Sequence, residues 1–108
     1  MPTTVRVAHS PDSDDAFMFY GLASGAVSAE GYEFVHELSD IETLNKAALD
    51  GKYEITALSV HAYAYLHQKY LLLDSGASFG DGYGPTVVVP AGSPFKRIED
   101  LSGRRIAV

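Results

Sequence analysis

The sequence predicts an α/β fold built on a mainly parallel sheet. Segments that alternate apolar and polar residues are followed by segments with apolar residues at helical spacing, which indicates the order βαβαβαββ. Such an order is typical of parallel strands joined by helices. With 108 residues, of which 46% are hydrophobic and 20% charged, the chain has the size and composition of one globular domain.

The charge and the residue types exclude several classes of partner. The net charge is -6 at pH 7, and an acidic surface attracts neither nucleic acid nor an anionic membrane. The sequence has no cysteine, which excludes disulfides, thiol catalysis and thiolate metal sites. No apolar run has the length of a membrane helix, and the first residues lack the pattern of a signal peptide. We therefore expect no nucleic-acid or membrane partner. A cytoplasmic protein is favoured, and the mature chain of a secreted protein is the alternative that fits the same pattern.

The first strand is predicted over residues 4–8 and is followed by a polar turn from His9 to Asp15. A helix is expected from about Asp14 to Ser24, with Ser13 as its N-cap. Gly25 is expected to end this helix in a left-handed conformation. This helix is expected to be well buried, because its apolar residues lie nearly all round it: Phe17, Phe19, Tyr20, Leu22 and Ala23.

Two further strand–helix units follow in the sequence. Residues 32–38 alternate as a half-buried strand does. Ser39 and Glu42 fit a capping box at the start of a helix that Gly51 ends. Residues 53–58 are predicted to form the third strand.

The last part of the chain is predicted to be less regular. Ser59 is the expected N-cap of a helix from Val60 to about Lys69. Because an apolar strand rarely ends a globular domain, we expect the sequence to be the N-terminal part of a longer protein. The remaining expected elements are a strand at 71–73, a glycine-rich loop at 74–85, a strand at 86–89, a helical turn at Ser93-Pro94 and a strand from Arg105 to Val108.

The polar residues of the first turn are the first candidates for a site. In open α/β sheets, ligands bind outside the carboxyl ends of the strands, where this turn lies. His9 is a candidate general base by its residue type and position, and a histidine that only hydrogen-bonds the turn is the alternative. No GxSxG, Walker or GxGxxG pattern occurs, so no cofactor is expected.

Three aspartates in the same turn resemble the start of a calcium loop. Phe17, however, stands where such a loop needs glycine, and helix capping explains two of the three carboxylates. We therefore predict no metal site at Asp12, Asp14 and Asp15. The same carboxylates disfavour a phosphate, whereas a hydroxyl-rich ligand that donates to Asp14 or Asp15 fits them.

A second group of candidates follows the third predicted strand. The Ser59 hydroxyl and the free backbone N–H groups of Val60 and His61 can bind a carboxylate or a hydroxyl, and helix capping alone is the alternative role of Ser59. His61 is either a ligand contact or a solvated residue. His61 and His67 are six residues apart and do not share a helix face, which excludes a helical di-histidine metal pair.

Several motifs resemble one enzyme family. Residues 10–20, SPDSDDAFMFY, resemble the SPxPNDTFxFY opening of the 1,4-dihydroxy-6-naphthoate synthase family. Residues 40–45, 56–64 and 80–85 match the same family in order. Residues 100–108, DLSGRRIAV, resemble the DLxGxxIAV step that opens the second lobe of type II periplasmic-binding-protein folds.

The resemblance implies a fold and an activity. The fold would be an incomplete type II periplasmic-binding-protein-like lobe, with most of the first lobe in residues 1–90. Residues 91–108 would form the crossover and the first strand of a second lobe. The activity would be that of a lyase in the futalosine route to menaquinone, which converts cyclic dehypoxanthine futalosine to 1,4-dihydroxy-6-naphthoate after proton abstraction.

The resemblance also implies where the substrate binds. The substrate would lie in a cleft between two lobes, and the catalytic histidine would lie beyond Val108, so no catalytic residue is expected in this chain. Asp14 and Ala16 replace the Asn and Thr of the family's opening motif, which alters the polar contacts of that turn. The expected substrate contacts lie in the opening turn and after the third strand: Ser10, Asp14, Ser59, Val60 and His61.

Two other functions fit the sequence less closely. One is chorismate dehydratase, a related enzyme of the same pathway, and the other is a non-enzymatic solute-binding protein of the same fold. A signal peptide in the full gene would favour the binding protein. We further expect the 108 residues alone to lack activity and to self-associate, because an apolar strand from Arg105 to Val108 would have no native neighbour.

Overall fold

The computed structural model describes residues 1–82 and 84–107. The chain forms two compact units, Met1–Ser78 and Phe79–Val108. The first unit is an open three-stranded sheet with three helices. Its elements follow the chain in this order: β1 Thr3–His9, α1 Ser13–Ala23, β2 Tyr32–Leu38, α2 Ile41–Leu49, β3 Ile55–Thr56 and α3 Val60–Leu66.

The sheet is parallel, which confirms the predicted fold class at the level of an α/β protein. Its strand order is β2-β1-β3, and both pairings are parallel. β1 pairs with β2 along its whole length, from Thr3 to His9. On its other side β1 pairs with the short β3 at Val7 and Ala8. All three strands therefore end at the same edge of the sheet.

The core of the first unit lies where the central strand meets α2. Val7 and Ala8 on β1 and Leu44 on α2 are 0% exposed. Ala8 and Leu44 pack in one cluster with Tyr53. Leu44 and Ala48, four residues apart, present one face of α2 to the sheet, as the helical spacing predicted. Because burying one leucine side chain stabilises a fold by about 1.5–3 kcal/mol, this small cluster dominates the packing of the unit.

The prediction that α1 is well buried is wrong. The helix packs mainly against β2 with one face. Phe17 is 85% exposed and Tyr20 is 68% exposed, and Asp15 is the residue of the helix that is buried. Apolar residues on a helix are buried only where another element packs against them. Within the described residues, no element packs against the outer face of α1.

The helix starts are predicted to within one residue. Asp12, not Ser13, precedes α1, and its side chain makes no capping bond. Asp40, not Ser39, caps α2, because its carboxylate reaches both the Thr43 amide (2.9 Å) and the Thr43 hydroxyl (2.7 Å). The expected cap of α3 is confirmed, since the Ser59 hydroxyl accepts from the Ala62 amide at 3.1 Å. Gly25 adopts a positive φ of 75°, as expected.

β3 and the segment after α3 are shorter or less regular than predicted. Within the described part of the first unit, β3 is an edge strand of two residues, and residues 71–73 form no strand. Leu71 is 88% exposed, because an extended segment becomes a strand only when a neighbour pairs with it. α3 ends at Leu66, three residues early, because the amides of Lys69 and Tyr70 both donate to its carbonyl and close a turn.

An ion pair extends the contact between β1 and the start of β3. The Arg6 guanidinium donates to both carboxylate oxygens of Glu54, at 3.0 and 2.6 Å. The Arg6 backbone amide also donates to the Glu54 carboxylate, at 2.9 Å. Because β3 has only two residues, this side chain, and not a strand carbonyl, satisfies the Arg6 amide. The hydrogen bonds from Arg6 lower the pKa of Glu54 to about 2.

The second unit has little regular structure in its described residues, 79–82 and 84–107. The strands expected at 86–89 and 105–107 are absent, and Val88 is 83% exposed. No ladder partner is present in this part of the unit, so an apolar run alone does not make a strand. The expected loop at 74–85 is free of helix and strand where described, and Tyr83 and Val108 lie outside the described residues.

The expected helical turn of the second unit forms later than predicted. A 3₁₀ helix, Ile98–Leu101, replaces the turn expected at Ser93-Pro94. The Asp100 carboxylate accepts from the backbone amides of Lys96 and Arg97, at 2.9 and 3.1 Å. An acidic side chain three residues into a turn satisfies the amides that the helix itself leaves free, which explains the position of this helix.

We expect Leu44→Ala to lower the free energy of unfolding by about 2–5 kcal/mol, because the lost methyl groups leave a cavity in the core. Leu49→Ala on the same helix is the matched control, since Leu49 is 57% exposed. The control is expected to change stability by less than about 0.5 kcal/mol. Urea unfolding followed by circular dichroism measures both values, and equal losses would contradict the core assignment.

Candidate functional site

The candidate site lies at the edge where the three parallel strands end. β1 ends at His9 and is followed by the turn into α1, whereas β3 ends at Thr56 and is followed by the turn into α3. The Ala57 amide donates to the Ala8 carbonyl at 2.8 Å, which keeps the two chain ends side by side as they leave the sheet. The two turns that the sequence singled out therefore follow strands at one edge, as expected.

The opening turn is held by a buried carboxylate. The Ser10 amide donates to Asp15 Oδ2 at 2.7 Å, and both residues are 9% exposed. The Asp12 amide donates to the Ser10 hydroxyl oxygen at 3.2 Å. Asp15 is thus occupied by the chain itself, and a ligand hydroxyl that donates to this turn meets Asp14 instead.

Asp14 is the exposed carboxylate of the opening turn. It accepts from the Asp15 amide at 3.0 Å. A hydrogen bond from Ser78, followed by the bond from that amide, lowers the pKa of Asp14. Asp14 is therefore ionised at neutral pH and can accept a hydrogen bond from a hydroxyl ligand. Within the described residues, no three histidine or acidic side chains come close enough to hold a metal ion.

His9 forms a pair with a residue that the sequence did not single out. His9 is 4% exposed, and its Nε2 lies 3.0 Å from Nδ1 of His36 on β2. Its Nδ1 lies 3.1 Å from the Ser10 carbonyl oxygen. The ring of Phe19 stacks on His9 with 4.2 Å between ring centroids and 15° between planes. His9 therefore has the hydrogen-bonded role in the turn that the sequence left open beside the general-base role.

The environment of His36 keeps its imidazole neutral. Burial lowers the pKa of His36, and the neighbouring His9 lowers it further. The two imidazoles, with Phe19 and Tyr20, line a cavity of about 350 Å³ between α1 and the strand ends. A volume of about 300–1,000 Å³ is typical of small-molecule sites. The signal for His36 in the sequence was its inward position in the alternating strand, which does not distinguish a site residue from a core residue.

Ser59 is positioned by a second residue that the sequence did not assign to the site. Asn45 on α2 accepts from the Ser59 amide at 3.0 Å and donates to the Ser59 hydroxyl oxygen at 3.1 Å. The Ala62 amide also donates to this oxygen. With two acceptor positions used, the Ser59 hydroxyl keeps its hydrogen available for an acceptor on a ligand. An asparagine inside an amphipathic helix was the available signal, since its helix propensity is low.

Val60 and His61 lie in the first turn of α3 and face solvent. Val60 is 92% exposed. The His61 ring meets Tyr65 edge-on with 5.4 Å between centroids. Both side chains are accessible to a ligand at this edge. In the described part of the chain, none of the helices combines the length and the apolar character needed to cross a membrane.

The fold and the candidate site define an α/β protein with an open parallel sheet and polar side chains at the edge where its strands end. Residues 5–108 match the family model described as Menaquinone biosynthesis. The chain belongs to this menaquinone biosynthesis family.

Curated relatives agree with the family assignment. The chain is 40% identical over 104 residues to a 1,4-dihydroxy-6-naphthoate synthase of Thermus thermophilus, covering 96% of the chain and 36% of that protein. It is 31% identical over 105 residues to the enzyme of the same name from Streptomyces coelicolor, covering 97% of the chain and 35% of that protein. The chain therefore spans about a third of the length of these relatives.

A solved structure shares both sequence and fold. The crystal structure of protein AF1704 from Archaeoglobus fulgidus superposes with a TM-score of 0.70 and is 56% identical. The match covers 75% of this chain and 30% of that protein. The matched part of this chain thus has a fold that a related protein adopts within a longer polypeptide.

We expect acidification from about pH 7 to 5 to destabilise the fold through His36. Because its pKa is below the ordinary value of 6.5, the unfolded chain binds a proton that the folded chain does not. The contribution of His36 to the free energy of unfolding is therefore fully present above about pH 6.5. It falls as the pH decreases from there to the pKa of His36 in the folded chain. Carboxylates with a lowered pKa, such as Glu54, change stability only below their ordinary pKa, which is 4.5 for Glu54. Their effect lies outside the range between about pH 7 and 5.

Urea midpoints of the wild type and of His36→Phe at both pH values measure this effect. The variant is expected to lose less stability on acidification than the wild type. The exposed His67 gives the matched control, and His67→Phe is expected to retain the wild-type pH dependence. The same pH dependence in His36→Phe and the wild type would show that other groups titrate here.

Proposed function

We propose that this chain is the N-terminal part of a 1,4-dihydroxy-6-naphthoate synthase that acts on cyclic dehypoxanthine futalosine. The observation that carries the proposal is the 40% identity to a synthase of this name across 96% of the chain. The polar edge of the sheet supports it, because two of the segments that match the family's motifs, residues 10–20 and 56–64, flank this edge. Such a biosynthetic enzyme would act on a small molecule in the cytoplasm.

We propose the type II periplasmic-binding-protein-like lobe as the finer description of the fold. In this proposal, residues 1–90 form most of the first lobe and residues 91–108 lead into the second. The parallel order β2-β1-β3 and the motif at residues 100–108 support it. The substrate would lie in the cleft between the lobes, against the carboxyl edge of the sheet.

The proposed substrate contacts have complementary hydrogen-bonding roles. Ser59 can donate its hydroxyl hydrogen to a carboxylate or carbonyl of the substrate, because both of its acceptor positions are occupied. Asp14 is ionised and can accept from a substrate hydroxyl. Ser10 lies in the same turn as Asp14, and its hydroxyl keeps a hydrogen to donate while its oxygen accepts from the Asp12 amide. Val60 and His61 offer an apolar surface and an imidazole.

In this proposal, the chain binds and orients the substrate and does not abstract the proton. The base is a histidine beyond Val108, and no cofactor takes part. His9 is committed to His36 and to the Ser10 carbonyl, which removes it from contact with a substrate proton. The described residues then act on the reaction by fixing the substrate in the geometry that the base requires.

We expect Ser59→Ala in the full-length enzyme to weaken substrate binding by about 1–2 kcal/mol, measured as a higher KM, because a neutral hydrogen bond is lost. Part of the stability, about 1 kcal/mol, is lost with the helix cap. Ser24→Ala is the control, since Ser24 is exposed at the end of α1, where its hydroxyl donates to the Tyr20 carbonyl. An unchanged KM with a lower unfolding midpoint would leave Ser59 only a structural role.

We expect the 108-residue chain produced alone to self-associate and to lack synthase activity. Large apolar side chains are exposed in both units, with Leu71 at 88% and Val88 at 83%. Exposed apolar patches and unpaired extended segments are sites of association between copies. Light scattering and an activity assay on the purified chain test the two statements. A monomer at micromolar concentration would contradict the first, and turnover of the futalosine substrate would contradict the second.

A further inference from the structure

The hydrogen bonds of the histidine pair determine which ring nitrogens carry hydrogen. A carbonyl oxygen only accepts, so the 3.1 Å contact of His9 Nδ1 with the Ser10 carbonyl requires a hydrogen on Nδ1. A neutral His9 then has a lone pair on Nε2. The 3.0 Å contact between this nitrogen and His36 Nδ1 therefore requires His36 to be the donor.

The remaining nitrogen of His36 agrees with this assignment. His36 Nε2 is buried and has no hydrogen-bond partner within the described residues. An orphaned buried N–H group is rarer than an orphaned acceptor, so the hydrogen of His36 belongs on Nδ1. Both rings thus carry their hydrogen on Nδ1.

One chain of hydrogen bonds then runs from β2 into the opening turn. His36 Nδ1 donates to His9, His9 Nδ1 donates to the Ser10 carbonyl, and the Ser10 amide donates to Asp15. The stacked ring of Phe19 fixes the plane of the His9 ring. The hydrogen on His36 Nδ1 then occupies the lone pair of His9 Nε2, which leaves the hydrogen of His9 on Nδ1. The backbone of Ser10 is held at both its carbonyl and its amide.

We propose that His36 is a positioning residue, which holds His9 in the Nδ1–H tautomer and thereby fixes the Ser10–Asp15 turn against the substrate. Its effect on the substrate rests on the proposed function, because Ser10 and Asp14 are proposed contacts. The effect of His36 on the tautomer of His9 is independent of the proposed function. Both imidazoles act through the turn in this proposal.

Two variants separate the role of His36 in the pair from its packing. His36→Phe keeps an aromatic ring but has no donor. His36→Asn is smaller and retains an amide N–H near the position of Nδ1. If His36 acts only through the packing of its ring, His36→Phe keeps the wild-type behaviour. If His36 acts as a hydrogen-bond donor, His36→Asn keeps it. His67→Phe, at an exposed position outside the pair, is the control.

Long-range ¹H–¹⁵N spectra of the full-length protein with labelled histidine provide the first readout. The wild type is expected to show His9 and His36 as Nδ1–H tautomers, the less common form in water. His9 is expected to lose this signature in His36→Phe and to keep it in His36→Asn and His67→Phe. An Nε2–H tautomer of His9 in the wild type, or an unchanged His9 in His36→Phe, would overturn the proposal.

Steady-state kinetics with cyclic dehypoxanthine futalosine provide the second readout. His36→Phe is expected to raise KM by roughly three- to tenfold, as the loss of a neutral hydrogen bond does, with kcat changed less. His36→Asn is expected to restore KM. A KM that stays at the wild-type value in His36→Phe would overturn the effect on the substrate. If the wild type does not turn over this substrate, the proposed function fails while the spectra still decide the role of His36.

Discussion

The hydrogen bond from the Ser10 amide to the buried Asp15 carboxylate is the contact on which the site depends. It turns the chain from β1 into α1, and it satisfies an amide that has left the sheet ladder. An amide buried without a partner would cost about 1–3 kcal/mol, so the turn is strongly favoured once the strand is in place. The direction of α1 then brings Phe19 over His9, and the ring of His9 onto the Ser10 carbonyl.

The second turn of the site is built in the same way. After β3, the Ser59 amide is accepted by the side chain of Asn45, as the Ser10 amide is accepted by Asp15. In each case the side-chain oxygen of a helix residue accepts a hydrogen bond from a backbone amide in the turn that follows a strand. The neutral amide of Asn45 also donates back to the Ser59 hydroxyl, which a carboxylate cannot do. Both serines are therefore fixed by their backbones, and the Ser59 hydroxyl keeps a hydrogen to donate.

The family assignment and the geometry answer different questions about this chain. The match over residues 5–108 establishes descent, and the chain spans about a third of its curated relatives. The geometry adds that His9, the best candidate base by position, is already bound on both nitrogens. A base for proton abstraction must reach its substrate proton by a hydrogen bond, so the chain's own contacts assign His9 to structure.

The sequence by itself determined the local features of the protein. Helical spacing, strand alternation and left-handed glycines such as Gly25 depend on neighbours within a few residues. They predicted the parallel α/β order of the first unit and most ends of the elements that form there. Tertiary structure decided what depends on residues distant in the chain. His9 and His36 are 27 residues apart and Asn45 and Ser59 are 14 apart, and only the pairing of strands and the packing of α2 join them. The same reason explains the failures, because a strand at 71–73 and a buried α1 both require a neighbour that a local pattern does not supply.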